Sequence, residues 1–501
     1  MRVLKMDHTL SCILWLLFTW LFVMALSSFY KRRKAGSEQQ PPGPTPYPVI
    51  GNLLELGDKP HKSLAKLAKI HGPIMTLKFG QVTTVVVSSA SMAKAILQNH
   101  DSSFCNRMVP DAACSYNHQE IGMVWLPVST PWKNLRKICN LHIFSSHKLD
   151  ANEDIRRKKI KHLLAYVEEN CRVGQAIVIG QAVFNTSLNV LSNTIFSVDL
   201  VDPTAQEFKD IVWGIMTELG KPNLSDNFPL LKKLDLQGIR RRMTIHYSKI
   251  FEVFDRLIDQ RLDQRQEHGY NTSTESSDLL DTLLNISQDK SVEIDGNDIK
   301  HLLLDLFVAG ADTTSSTLEW AMAELLHSPE ALSKARLELE QTIGRGKPLE
   351  ESDITRLPYL QAVLKETFRL HPVAPLFLPR KASTDVEIAG FTVQKGSKVL
   401  VNAWAIGRDE STWDNPLIFM PERFLGSDLD VKGRNFELIP FGAGRRICPG
   451  LPLAIRMLHI MLGSLINSFD WKLEDEKMDM EEKFGITLQK AQPLRAVPMA
   501  I

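Results

Sequence analysis

The chain has 501 residues, 44% hydrophobic and 23% charged, the composition of a folded globular protein with a large core, not of a disordered or fibrous one. A net charge of +1 argues against a nucleic-acid binder, which needs a dense basic surface. Six cysteines, Cys12, Cys105, Cys114, Cys139, Cys171 and Cys448, show no paired spacing and fit a reducing compartment better than an oxidising one.

Leu10 to Tyr30 carries no charge and is mostly apolar, long enough at ~1.5 Å per residue to cross a hydrocarbon core of roughly 30 Å. Lys31, Arg32, Arg33 and Lys34 follow at once, so the positive-inside rule puts the C-terminal bulk in the cytosol. Residues 1–34 therefore read as a membrane anchor with a basic stop. A signal peptide cleaved near Ala25-Leu26-Ser27 is the competing reading, but the apolar stretch exceeds an ordinary h-region. Four sequons, beginning at Asn185, Asn223, Asn271 and Asn285, would matter only in a lumenal body. Within residues 35–48, Pro41 to Pro48 holds five prolines, which fix φ and restrict their predecessors; the segment reads as a stiff hinge before a body spanning 49–501.

Leu77 to Val87 alternates and is β-branched, predicting a strand pair around Gly80-Gln81. Helical patterns fill most of 130–380. Trp132 and Arg136 stand at helical spacing, and basic residues cluster at Lys133, Arg136, Lys137 and at Arg156, Arg157, Lys158, Lys159, Lys161, by default a solvated face. Tyr270 to Asp278 reads as a surface loop. Asn297 to His327 has helical periodicity over ~46 Å, yet Ala309-Gly310-Ala311-Asp312-Thr313-Thr314 places a glycine and two threonines in its middle, against helix propensity. A local rule broken inside a long helix points to a functional position. Glu366 and Arg369 share one face of a helix predicted over Tyr359 to Leu370, and Val386 to Val401 predicts strands turning at Gly390 and Lys395-Gly396.

Near the end comes Phe441-Gly442-Ala443-Gly444-Arg445-Arg446-Ile447-Cys448-Pro449-Gly450. The apolar run from Leu451 to Leu462 predicts a helix, so the Cys448 sulfur would sit at a helix N-terminus, where N–H groups favour the thiolate. A thiolate is a strong axial donor to haem iron. Arg446 can pair with a propionate and Phe441 can cover the sulfur, while the glycines let backbone pass close to a flat macrocycle. A buried, inert free cysteine is the bland alternative.

This spacing resembles the cytochrome P-450 superfamily of haem-thiolate monooxygenases, in its plant microsomal form, and the other motifs stand in that family's order along nearly the whole chain. The resemblance implies a fold that is mostly α with small β-sheets, behind a single N-terminal transmembrane helix. It makes 49–501 a catalytic haem domain on the cytosolic side of the endoplasmic reticulum membrane. It makes Cys448 the axial ligand of iron protoporphyrin IX, and Trp132, Arg136, Arg380 and Arg446 partners of the propionates. Thr313 and Asp312 would guide protons to dioxygen, with small neighbours leaving room for it. Glu366, Arg369 and Arg423, the last from Pro421-Glu422-Arg423-Phe424, would form a buried triad serving folding. The substrate pocket would draw on Val109–Leu126, on Leu306–Thr313 with Ala309, on Val373–Leu378 with Val373 and Leu376, and on Phe484–Leu488 with Phe484. No G-x-G-x-x-G fingerprint follows a strand, so electrons from NADPH must come through a separate flavoprotein, NADPH-cytochrome P-450 reductase, for which the basic clusters are a docking hypothesis.

Asn117-His118-Gln119-Glu120-Ile121 and Glu482 to Lys490 look like plant geraniol 8-hydroxylases and their terpenoid-oxidising relatives. The expected reaction is allylic hydroxylation of a lipophilic monoterpenol, with a diterpenoid or other specialised metabolite as alternative substrate. Reductase-independent haem-thiolate isomerases and dehydratases commonly lack the Asp312-Thr313 pattern, and nothing in the sequence favours a non-catalytic haem carrier.

Overall fold

A helix from Gly296 to His327 runs through the middle of the body, and the remaining elements are arranged around it. Asp295 starts it through a capping box with Asp298, and Pro329 follows its end. It is buried on nearly every side, packing most heavily on the Ile179–Phe196 helix. Gly310 serves that packing: a Cβ there would lie 2.8 Å from Leu191 Cδ1, so the absent side chain accommodates the neighbouring helix. This is a different use from the expected room for dioxygen.

The computed structural model describes residues 40–501 except 201–203, 269–277, 290–292 and 476, with Ser11, Cys12, Trp15, Phe18, Thr19 and Phe22 before them. Most of the expected membrane span, the start of the hinge and nearly all of the expected Tyr270–Asp278 loop therefore lie outside the described residues. Among the described residues, Leu451–Ser468 is the one helix long and apolar enough to cross a membrane. Met457 to Asn467 are buried in the main core cluster, so this is a core helix.

The largest sheet has five strands in the order Ile74–Phe79, Val82–Val87, Lys398–Val401, Arg380–Lys381, Asn106–Arg107. The first two form the expected hairpin, with Gly80 at φ 58° in its turn. The described part of the proline segment lies beside it, Thr76 N–H donating to Pro42 O at 2.8 Å. A Cβ on Gly43 would overlap the Thr76 carbonyl, which is why glycine interrupts the prolines. Smaller sheets pair Val386–Ile388 with Phe391–Val393, Glu482–Lys483 with Gln489–Lys490, and Arg495–Met499 with both Ile177–Val178 and Asp470–Leu473.

The Pro358–Leu370 helix brings Glu366 and Arg369 to the centre of a buried ionic knot. Arg369 donates through Nε and Nη2 to the two Glu366 oxygens, each at 2.7 Å, and Arg423 Nε donates to the same carboxylate at 3.0 Å. Glu366 also accepts Met420 N–H at 2.8 Å. The arginines spend their remaining donors on main-chain carbonyls: Arg369 on Pro416 and Ile418, Arg423 on Asp414. One carboxylate thus fixes the irregular chain from 407 to 423 that precedes the Cys448 loop. Removing it strands two guanidiniums in the interior at a cost of ~3–5 kcal/mol. Glu366→Ala is expected to accumulate without a haem Soret band; an intact Soret spectrum and normal melting would contradict this role.

His459, buried in the Leu451–Ser468 helix, is held by burial down to about 4. The unfolded chain, with an ordinary histidine, binds a proton in the window from about 6.5 to 4 that the folded chain refuses, so stability falls as pH drops through it. Between pH 7 and 5 the loss from this group is on the order of 2 kcal/mol. Urea midpoints at the two pH values should differ by less in His459→Leu than in the parent.

Candidate active site

The Cys448 loop folds back on itself, with Cys448 N–H donating to Phe441 O at 3.0 Å and Gly442 N–H to Ile439 O at 2.9 Å. Gly444 is at φ 70°, and a Cβ there would overlap the Leu97 carbonyl, so both torsion and space demand glycine. The Leu451–Ser468 helix begins immediately beyond, with Pro452 in its first turn. Burial pushes the Cys448 thiol up, while hydrogen bonds from the Gly450 and Leu451 N–H groups and the charge of Arg136 act in the opposite sense. Phe441 lies edge-on to Phe368, with ring centroids 5.4 Å apart.

Cys448 has accessible surface, although it is enclosed enough for burial to dominate its acidity. Both hold if that surface lines an interior hollow. Ala309 is likewise exposed in the middle of a mostly buried helix, with Val308 and Gly310 half-buried beside it.

The residues beside this hollow fit a dianionic macrocycle. Arg107 and Arg380 stand directly opposite each other across an antiparallel strand pair, where like charges repel. Arg107 Nε is buried without a partner. Burial, then Arg380 and Arg446, hold the Arg107 guanidinium well below its ordinary value. Burial also lowers Arg380 and Arg446, each to about 10. The nearest carboxylate described, Asp101, is 3.6 Å from Arg380. Arg446 meanwhile donates to Cys105 O at 2.9 Å and Met123 O at 3.1 Å, and stacks its guanidinium 4.7 Å from the Trp132 ring. Trp132 Nε1 donates to the same Met123 carbonyl at 3.1 Å. Two propionates would relieve this excess of buried positive charge, and Cys448 is a suitable axial donor. Arg107 escaped the sequence reading. Its signal, an arginine just after Phe104-Cys105-Asn106, has meaning only once the strand pairing sets it against Arg380.

On the central helix, Thr313 Oγ1 donates to Ala309 O at 2.7 Å, the back-bond usual for a mid-helix threonine, and keeps its lone pairs as acceptors. Asp312 is buried, and burial raises its pKa. Its oxygens accept Thr487 Oγ1 at 2.6 Å and Gln489 Nε2 at 3.0 Å. Ser316 Oγ and Trp320 Nε1 both donate to Leu488 O, so one helix face grips the whole 487–489 segment.

Val373 O accepts Leu488 N–H at 2.8 Å, and Leu376 and Phe484 share one hydrophobic cluster, so the 373–376 segment meets the 484–488 segment at two places. The Phe484 ring also stacks on His61, with centroids 5.4 Å apart. Buried Glu482 secures the hairpin by accepting His61 at 3.1 Å, Lys62 at 2.8 Å and Trp404 Nε1 at 3.0 Å.

The docking hypothesis needs correction at two positions. Arg156 is buried and bonded through Nε and Nη2 to Glu351 at 2.5 and 2.8 Å, and buried Lys159 pairs with Asp199. Their charges are spent inside the body because their helix face turns inward. Lys133, Lys137, Arg157, Lys158 and Lys161 remain exposed.

A mostly helical body with small sheets, a cysteine near a helix N-terminus and a buried arginine cluster short of carboxylates fit a haem-thiolate protein. The chain matches the family model "Cytochrome P-450" over residues 41–495 and belongs to that family. It is 57% identical to a geraniol 8-hydroxylase of Catharanthus roseus across 99% of this chain and 100% of that one. A geraniol 8-hydroxylase of Swertia mussotii is 56% identical, covering 96% and 97% of the two chains, and a drimenol monooxygenase of Persicaria hydropiper 54%, covering 92% of each. The chain is a cytochrome P-450 monooxygenase.

Hydrogen bonds to charged groups contribute ~1.5–3 kcal/mol, so Arg107→Leu should lose haem to excess apomyoglobin at least ~10-fold faster than the parent. An unchanged transfer rate would remove Arg107 from the propionate site.

Proposed function

We propose that the chain is a membrane-anchored terpenoid hydroxylase, drawing electrons from NADPH through a separate cytochrome P-450 reductase and oxidising an allylic carbon of a monoterpenol. The carrying observation is the near-full-length likeness to two geraniol 8-hydroxylases. The balance is one substrate C–H, one O2, one NADPH and one proton in; one C–OH, one water and one NADP+ out. Bound haem, with Cys448 as its thiolate donor, supplies the reduction and cleavage of dioxygen.

The protein's own residues do the rest. Arg107, Arg380, Arg446, Trp132 and Arg136 would hold and orient the cofactor. Asp312, its acidity weakened by burial, can carry a proton at a carboxyl oxygen, and Thr313 Oγ can accept or pass one at the open helix face. The apolar segments around Ala309, Val373, Leu376 and Phe484 exclude water and favour a lipophilic ligand. Leu10–Tyr30 with its basic stop would tether the body to the cytosolic face of the endoplasmic reticulum; Trp15, Phe18 and Phe22, helical and exposed, are the side chains such a span turns to lipid.

A larger terpenoid substrate is the second reading, favoured by the 54% identity to drimenol monooxygenase. Membranes holding this chain and a plant reductase, fed NADPH and a panel of monoterpenols, drimenol and diterpenes, separate the two. The expected result is a hydroxylated monoterpenol that vanishes when reductase or NADPH is omitted. Turnover of drimenol or a diterpene alone would favour the second reading, and reductase-free conversion would overturn both.

A further inference from the structure

A buried polar chain fastens the 116–124 loop to the central helix, and none of the steps above uses it. Asp305 Oδ1 is 3.0 Å from His118 Nε2, and Asp305 Oδ2 accepts Val124 N–H at 3.2 Å. His118 Nδ1 is 2.7 Å from His301 Nδ1, and the two rings stack with centroids 5.0 Å apart. All three side chains are buried. Asp305 accepts at both oxygens, as a carboxylate should, and with the neutral His118 ring donating from Nε2 its Nδ1 accepts from His301 Nδ1–H. Tyr247 and Phe251 close the cluster edge-on from another helix.

Two features mark the loop as held instead of relaxed. Tyr116 and Asn117 are consecutive non-glycine residues at φ 54° and 55°, a strained pair that persists only where its surroundings dictate it. Gly122 has no room for a side chain, since a Cβ would lie 2.6 Å from His118 Nδ1. Beyond the clasp, Met123 and Leu126 give their carbonyls to Arg446, and Met123 also to Trp132. The loop is therefore pinned to the central helix at one end and to the cofactor-facing arginine at the other. Asp305, Ala309 and Asp312 lie within ~60° of one another around their helix, so the clasp grips the same stripe that faces the site.

We propose that Asp305, acting through His118 and the Val124 N–H, is a positioning residue for substrate: it sets the loop held between the central helix and Arg446, beside the exposed Ala309 face, and so which substrate carbon meets the reacting centre. This rests on the reading of the chain as a hydroxylase of small lipophilic molecules. His118→Phe keeps a ring between Tyr247 and His301 but removes both of its hydrogen bonds; Asp305→Leu keeps a similar size and removes both acceptors, the one facing His118 and the one facing Val124 N–H.

Both variants, as holoenzymes in reductase-containing membranes, are read in three ways: haem content, hydrogen exchange of the 115–124 amides, and the ratio of hydroxylated isomers from the substrate that the parent converts best. Expected are parental haem content, exchange of those amides at least ~10-fold faster, and a product ratio shifted ~threefold or more. Unchanged exchange in both variants would overturn the clasp, and a loosened loop with the parental product ratio would overturn its role in positioning. Loss of haem in both would make the cluster a folding element and also overturn the proposal. Should the parent hydroxylate nothing, the hydroxylase reading fails by itself. The clasp is then still judged by exchange and by 4-phenylimidazole titration, where unchanged affinity in a loosened variant counts against it.

Discussion

Arg107 and Arg380 face each other across one antiparallel strand pair, Arg446 approaches from the Cys448 loop, and among the described residues the nearest carboxylate offered to them is Asp101. Such a cluster is unfavourable twice over, through desolvation and through repulsion, and protein carbonyls offset it only in part. An anion with two carboxylates resolves both. Folding and cofactor loading are then linked by mass action, since whatever binds the folded chain and not the unfolded one stabilises it. The thiol obeys the same logic. Burial opposes the Cys448 thiolate, helix N–H groups favour it, and a cation such as iron would decide between them.

Arg107 and Arg380 are placed by their strands, but the sulfur sits on a loop, and its placement depends on what stiffens the chain behind it. Glu366 does this through Arg369 and Arg423, whose spare donors fix carbonyls from 407 to 418. The knot never needs to touch a cofactor. A ladder of sheet hydrogen bonds could not replace it, because this chain is irregular and its carbonyls point in several directions. A planar guanidinium with five donors can reach them.

What was legible in the sequence was local. The central helix, read as Asn297 to His327, begins at Gly296; the strand pairs turn at Gly80-Gln81 and Gly390, with Gly396 in the turn that leads to a strand of another sheet; the Glu366–Arg369 pair and the Cys448 loop carry their own spacing. The helix, the turns and the Glu366–Arg369 pair depend on neighbours a few residues away, which spacing records; Arg423, 57 positions from Glu366, joined them only through the family resemblance. Arg107, Arg156 and the His118 cluster were opaque for the converse reason. Arg107 acquires a role from a strand partner 273 positions later, Arg156 is buried because Glu351 arrives to meet it, and His118 looks like a loop histidine until Asp305 is beside it. Gly310 was read only in part. Its oddity within the helix was visible, but only the position of Leu191 tells which side the missing atom serves.

Asp305 and Asp312 divide the labour on one stripe of the central helix. The first holds the 116–124 loop and the second the 487–489 segment, with Ala309 exposed between them. Two segments that flank this helix face are thus each held by a carboxylate, and the face between them would be left to apolar side chains if it lines the substrate site. One methylene in such a lining changes discrimination by ~1–3 kcal/mol. Side chains between the two clamps can therefore retune substrate choice while the clamps stand.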